Sequence, residues 1–151
     1  MKKKEVNQMR RSIFFGCVVL MFILTGSLSY AAMTKTPISP SDLPILKGKW
    51  VGSRASGPAR TFNTDLEISN EGLPVQGKII FHDVPLPGHA GVGETKIVNF
   101  KNGEINDQGN LLVKLRNFEV ELSLYKDDAK MKLEGDYSGT MGSRGTMWFK
   151  K

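Results

Sequence analysis

The sequence predicts an all-β domain behind an N-terminal signal helix. The expected architecture is an antiparallel up-and-down meander of about eight short strands, closed into a small barrel or folded as a β-sandwich. Three observations carry this. Apolar residues recur at every second position: Phe118, Val120, Leu122 and Leu124 alternate with Glu119, Glu121 and Ser123, and Met131, Leu133, Gly135 and Tyr137 alternate with Lys130, Lys132, Glu134 and Asp136. One apolar and one charged face is what a half-buried antiparallel strand requires. Turn formers punctuate the pattern at Asn70-Glu71-Gly72, Asn102-Gly103, Asp107-Gln108-Gly109-Asn110 and Asp127-Asp128. Past the N-terminal segment, no stretch repeats its apolar residues with the helical period.

Residues 1–31 form the first element. Lys2, Lys3, Lys4, Arg10 and Arg11 stand against a single Glu5, the apolar-and-small run Ile13–Leu28 follows, and Ser29-Tyr30-Ala31 places small residues where a signal peptidase reads them. These are the three regions of a secretory signal, with cleavage expected after Ala31 and a periplasmic or secreted product. The run spans roughly 24 Å at the helical rise, short of the ~30 Å hydrocarbon core. Extended to Ala32 it just reaches, so an uncleaved N-terminal membrane anchor is the alternative. Cys17 lies inside the run rather than after it, which is not where a lipid-modified cysteine stands.

Removing that segment changes the chemistry on offer. The full chain has 21 basic and 15 acidic residues, but the part after Ala31 has 16 and 14, a net charge of +2. The basicity is mainly a targeting signal, and nucleic acid is excluded as the main partner because no Lys/Arg cluster remains. The membrane is expected as a partner only through the N-terminal signal. No cysteine remains either, so disulfides, thiolate zinc sites and cysteine nucleophiles are ruled out.

Residues 32–45 contain Pro37, Pro40 and Pro44 and read as an extended linker. A single domain over residues 46–151 follows, with strands expected at Lys49–Arg54, Thr61–Ser69, Val75–His82, Lys96–Lys101, Leu111–Asn117, Phe118–Tyr125, Lys130–Tyr137 and Gly145–Lys150. An internal echo favours the barrel. Gly48-Lys49-Trp50-Val51-Gly52 is matched by Gly135-Asp136-Tyr137-Ser138-Gly139, and each precedes a Gly-Ser-Arg, at Gly52-Ser53-Arg54 and Gly142-Ser143-Arg144. Strand glycines mark tight curvature or close backbone approach, both expected in a small barrel. If the first and last strands pair, the two Gly-Ser-Arg segments come together. Such a barrel can be filled by its own side chains, here Trp50, Phe81, Phe100, Tyr137 and Trp148, or left partly open.

Leu46-Lys47-Gly48-Lys49-Trp50 resembles the Gly-x-Trp opening of lipocalins, fatty-acid-binding proteins and avidin-like proteins, and Leu133-Glu134-Gly135-Asp136-Tyr137 is similar to strand phrasing in avidin-like barrels. The resemblance to these calycin-like proteins implies an open-mouthed barrel for a small apolar or amphipathic molecule. It implies structural roles for Trp50 and Tyr137, with Trp50 across the closed end beneath an arginine from the last strand, for which Arg144 is the candidate. The chain lacks the lipocalin disulfide and shows no C-terminal helical pattern.

His82–Thr95 interrupts the strand rhythm. It holds both histidines of the chain, His82 and His89, with Asp83, Glu94, Pro85, Pro87 and three glycines, and it reads as a long loop over the barrel mouth. His82, His89, Asp83 and Glu94 are candidate ligands for Zn²⁺ or a similar ion; no fixed spacing unites them, so no metal is expected. Arg54, Arg60 and Arg144 are candidates for the mouth, where a guanidinium would pair with a ligand carboxylate or phosphate; His82 and His89 complete the candidate ligand set. No hydrolase, metalloprotease or nucleotide-binding motif is present. The expectation is an exported, non-catalytic binding protein without cofactor, holding a small amphipathic ligand in a barrel or cleft. The alternative is an envelope-associated protein-binding or inhibitor-like module, with another envelope protein as its partner.

Overall fold

The computed structural model describes residues 33–57, 60–86, 89–127, 129–140 and 142–151. The expected signal helix, its cleavage position and Cys17 lie outside the described residues. The strands are β1 (Thr34–Thr36), β2 (Gly48–Ala55), β3 (Thr61–Ile68), β4 (Val75–Leu86), β5 (His89–Ile105), β6 (Leu111–Lys114), β7 (Phe118–Lys126), β8 (Met131–Gly139) and β9 (Arg144–Lys150). From β2 to β9 each strand pairs antiparallel with the next, and β9 returns to β2. Eight strands therefore close a barrel, and the sandwich alternative is excluded.

Period-two patterning decides which side chains enter it. On β7 the inward set is Val120, Leu122 and Leu124, and facing strands add Leu66, Ile79, Leu133 and Phe149; all are essentially inaccessible. At roughly 25 cal/mol per Å², each such aliphatic chain contributes about 1.5–3 kcal/mol on burial. Close strand approach needs glycine at specific inward positions. A Cβ on Gly135 would lie 1.8 Å from the Glu121 carbonyl oxygen, and one on Gly52 would lie 1.9 Å from that of Trp148. The glycine echo is thus a requirement of backbone packing.

The two ends differ. β2 starts at the lower end, where Trp50 is fully buried and its Nε1 donates to the Leu46 carbonyl at 2.7 Å. Of residues 32–45, expected as an extended linker, those described instead carry structure that, with Leu46, seals this end. β1 pairs with the end of β7, a 3-10 turn at Pro40–Asp42 leads into a one-turn helix α1 (Leu43–Leu46), and Ile38, Leu43 and Leu46 are buried. Asp42 fastens the segment: it accepts from Lys126 Nζ at 2.6 Å and from Ser39 Oγ at 2.7 Å. These contacts bring its pKa from 3.8 to about 2, with the Lys126 hydrogen bond the largest cause and those from Ser39 next.

Four expectations are corrected here. Arg144 does not lie over Trp50; the cation above that ring is Lys151 Nζ, 5.6 Å from it, while Arg144 stands at the opposite end of β9. Trp148 points outward, opposite Ser53 and Glu134, so it does not fill the interior. Asn102-Gly103 is not a turn, because β5 runs through it to Ile105. His82–Thr95 is not an irregular loop: β4 and β5 continue as a hairpin, with Val84 opposite Glu94 and Leu86 opposite His89. A β-bulge at Asp83, whose φ is +54°, breaks the alternation, and a Cβ on Gly93 would lie 2.6 Å from the Asp83 Cα.

Candidate functional site

The barrel is packed through its lower part and hollow toward its upper end. β2 carries its inward face from Trp50 through Gly52 to Arg54, four residues and about 13 Å above the buried tryptophan. There a cavity of about 510 Å³ opens. Phe81 and Phe118 meet edge to face along its wall, with ring centroids 5.6 Å apart, and Phe62, Val84, Val98 and Met147 complete the apolar lining. Ser56, Asn117, Thr140 and Ser143 supply polar groups.

Arg54 is the chemical centre of this space. Its guanidinium carbon lies 4.8 Å from the Phe62 ring centroid and 5.0 Å from that of Phe81. Its Nε is buried and has no hydrogen-bond partner among the described residues. Burial pulls its pKa below the ordinary arginine value, and the neighbouring Tyr137 opposes that shift. The aromatic faces attract the cation but satisfy none of its N–H donors in the way an oxygen anion does. No Asp or Glu lines the cavity among the described residues, whereas Lys96 adds a second cation.

Tyr137 enters the same cavity from β8. Its ring lies against Gly145, where an added Cβ would come within 2.9 Å of the Tyr137 hydroxyl. Ser143 also reaches the cavity, so pairing of β2 with β9 brings parts of both Gly-Ser-Arg segments to one site. The remaining candidates lie elsewhere. Arg60 is exposed in the β2–β3 connection, and Arg144 borders a separate depression with Ala55, Asp136 and Thr146. His82 lies 3.4 Å from Asp65, which also pairs with Lys49 at 3.2 Å; His82 does not line the cavity. The side chain of His89 lies outside the described residues. Among the described residues no cluster of three or more His, Cys, Asp or Glu is arranged to hold a metal.

Sequence reasoning located Arg54 but missed Phe62, Lys96, Val98 and Met147. Each sits at an inward position of its strand, so alternation was the available signal. Their convergence depends on interstrand register, which a single sequence does not carry. No protein-family model matches this chain, and no curated protein or solved structure is significantly similar to it.

Proposed function

We propose that this chain is an exported, non-catalytic binding protein that holds a small amphipathic anion in the upper part of its barrel. The observation that carries this reading is Arg54, a partly buried guanidinium inside a mainly apolar cavity, whose Nε has no partner among the described residues. Leaving a buried donor unsatisfied costs about 1–3 kcal/mol, and a carboxylate or phosphate oxygen would remove that cost by a charge-assisted bond. The cavity volume falls within the range of small-molecule sites, which combine apolar walls with few polar groups. Phe62, Phe81, Val98, Phe118 and Met147 would take the apolar part of the ligand.

The strand count, the simple meander and the Gly48-x-Trp50 opening support a calycin-like, lipocalin- or avidin-like reading. The basic, apolar and small-residue regions of residues 1–31 support export to the periplasm or beyond. Dodecanoate and dodecylamine provide the test by isothermal titration calorimetry. Saturable binding of the anion, with at least tenfold weaker binding of the cation, is expected. Equal binding of the two would remove Arg54 from the reading, and binding of neither would remove the cavity.

A further inference from the structure

The barrel closes at its lower end but leaves one strand edge free above. β5 is paired with β4 along its whole upper length, while on its other side β6 pairs only at Glu104 and Ile105. One side-chain bond, Asn102 Nδ2 to the Lys114 carbonyl at 2.9 Å, marks the last contact before β6 ends. The chain then turns back, with the Leu115 N–H donating to the Phe118 carbonyl at 2.8 Å. From Glu94 to Lys101 no strand or loop backbone bonds to this edge among the described residues. At about 3.3 Å per residue the free edge runs about 26 Å.

Two further features coincide with it. Ile97, on the outer side of the same stretch, is 55% exposed. The cavity has Lys96 and Val98 of β5 on one side of the gap and Asn117 and Phe118 on the other. The hollow and the missing strand therefore belong to one feature: a strand set beside β5 would send alternate side chains into the cavity and cover Ile97 with the others.

We infer that the upper edge of β5 receives an extended peptide segment of a partner protein, which adds antiparallel to Glu94–Lys101 as a continuation of β6. Open edges template such pairing, with main-chain hydrogen bonds giving affinity and pockets for alternate side chains giving specificity. Charge selects the chemistry of the segment. Its inward side chains meet Arg54 and Lys96 among apolar walls, so they are apolar with one carboxylate, while its outward residues are β-branched or polar. The inference goes beyond small-ligand binding and does not depend on it.

A fluorescein-labelled acetyl-Thr-Val-Thr-Glu-Thr-Val-Thr-amide tests it by anisotropy, together with hydrogen exchange on the exported protein. Saturable binding is expected, weakened at least tenfold by N-methylation of alternate peptide nitrogens and at least tenfold by lysine in place of the glutamate. Within Glu94–Lys101 the alternate amides that point away from β4 are expected to exchange fast in the free protein and to gain protection with the peptide, while those bonded to β4 are slow in both states. Absence of saturable binding, indifference to N-methylation, or protection gained elsewhere overturns the inference. Protection of the same amides by protein concentration alone, with a dimer in sedimentation, would make the occupant a second copy and also overturn it. Dodecanoate binding, measured separately, reports on the small-ligand reading whichever way the peptide result falls.

Discussion

Replacing Arg54 with methionine separates a binding residue from a structural one. The substitution keeps an unbranched chain of similar reach and removes the charge and every N–H. Two terms govern its effect on stability. Losing a buried, unpartnered donor relieves about 1–3 kcal/mol. Losing the stacks on Phe62 and Phe81 forfeits about 0.5–1 kcal/mol each at a partly exposed site. Arg54→Met is therefore expected to fall between a loss of about 1 and a gain of about 2 kcal/mol in urea unfolding followed by tryptophan fluorescence. Ligand binding should respond in the opposite sense. Removing a charge-assisted hydrogen bond worth about 1.5–3 kcal/mol weakens dodecanoate about 10- to 150-fold in calorimetry. A barrel that loses no more than about 1 kcal/mol, or gains stability, yet binds the anion poorly is the trade-off expected of a functional site. A stability loss above about 3 kcal/mol with dodecanoate affinity unchanged would refute the reasoning and make Arg54 part of the core.

Trp50→Ala removes a fully buried aromatic and its bond to Leu46, and is expected to cost about 3–5 kcal/mol, read as a lowered urea midpoint. A midpoint that barely moves would mean that Trp50 does not organise the closed end. Asp42 has a folded-state pKa of about 2, below its ordinary 3.8, so its stabilisation is complete above about pH 4 and is lost as pH falls toward 2. Asp42→Asn should lower stability at pH 6 and flatten the acid limb of a stability–pH curve; an unchanged limb would detach Lys126 and Ser39 from the seal. Gly135→Val forces a side chain into the Glu121 carbonyl and should abolish folding or lower the thermal midpoint sharply, as a melting curve would report. Deleting Pro85–Gly93 removes only the hairpin tip beyond the bulge. Its circular dichroism spectrum is expected to retain the β signal, and loss of that signal would make the tip part of the core.

Most of the barrel was legible because its interior is built from strict alternation. The inward sets of β7 and β8 follow directly from Phe118–Tyr125 and Lys130–Tyr137, where apolar residues or Gly135 alternate with charged residues or Ser123. Legibility failed where the backbone departs from the pleat. At His82–Asp83 two residues of β4 stand opposite one of β5, which shifts the phase and makes a continuous hairpin read as a loop. Asn102-Gly103 reads as a turn in isolation, yet a Cβ at Gly103 would crowd Val75, so the glycine serves strand packing. The N-terminal seal was hidden by three prolines and by a helix of a single turn, too short to display a period. At the site, the run Trp50, Gly52, Arg54 already placed an arginine on the inward face. Its position between Phe62 and Phe81 depends on the registers that set Arg54 opposite Phe62 and Thr64 opposite Phe81, which only pairing supplies.

The most direct test of anion binding in the upper cavity is an NMR titration with dodecanoate, observing the Arg54 side-chain Nε–H and the resonances of Phe62, Phe81 and Met147. Saturable shifts at Arg54 together with contacts from the alkyl chain to those three residues are predicted. Shifts confined to the outer-face residues Val51 and Ile97, with Arg54 unmoved at saturation, would contradict the account.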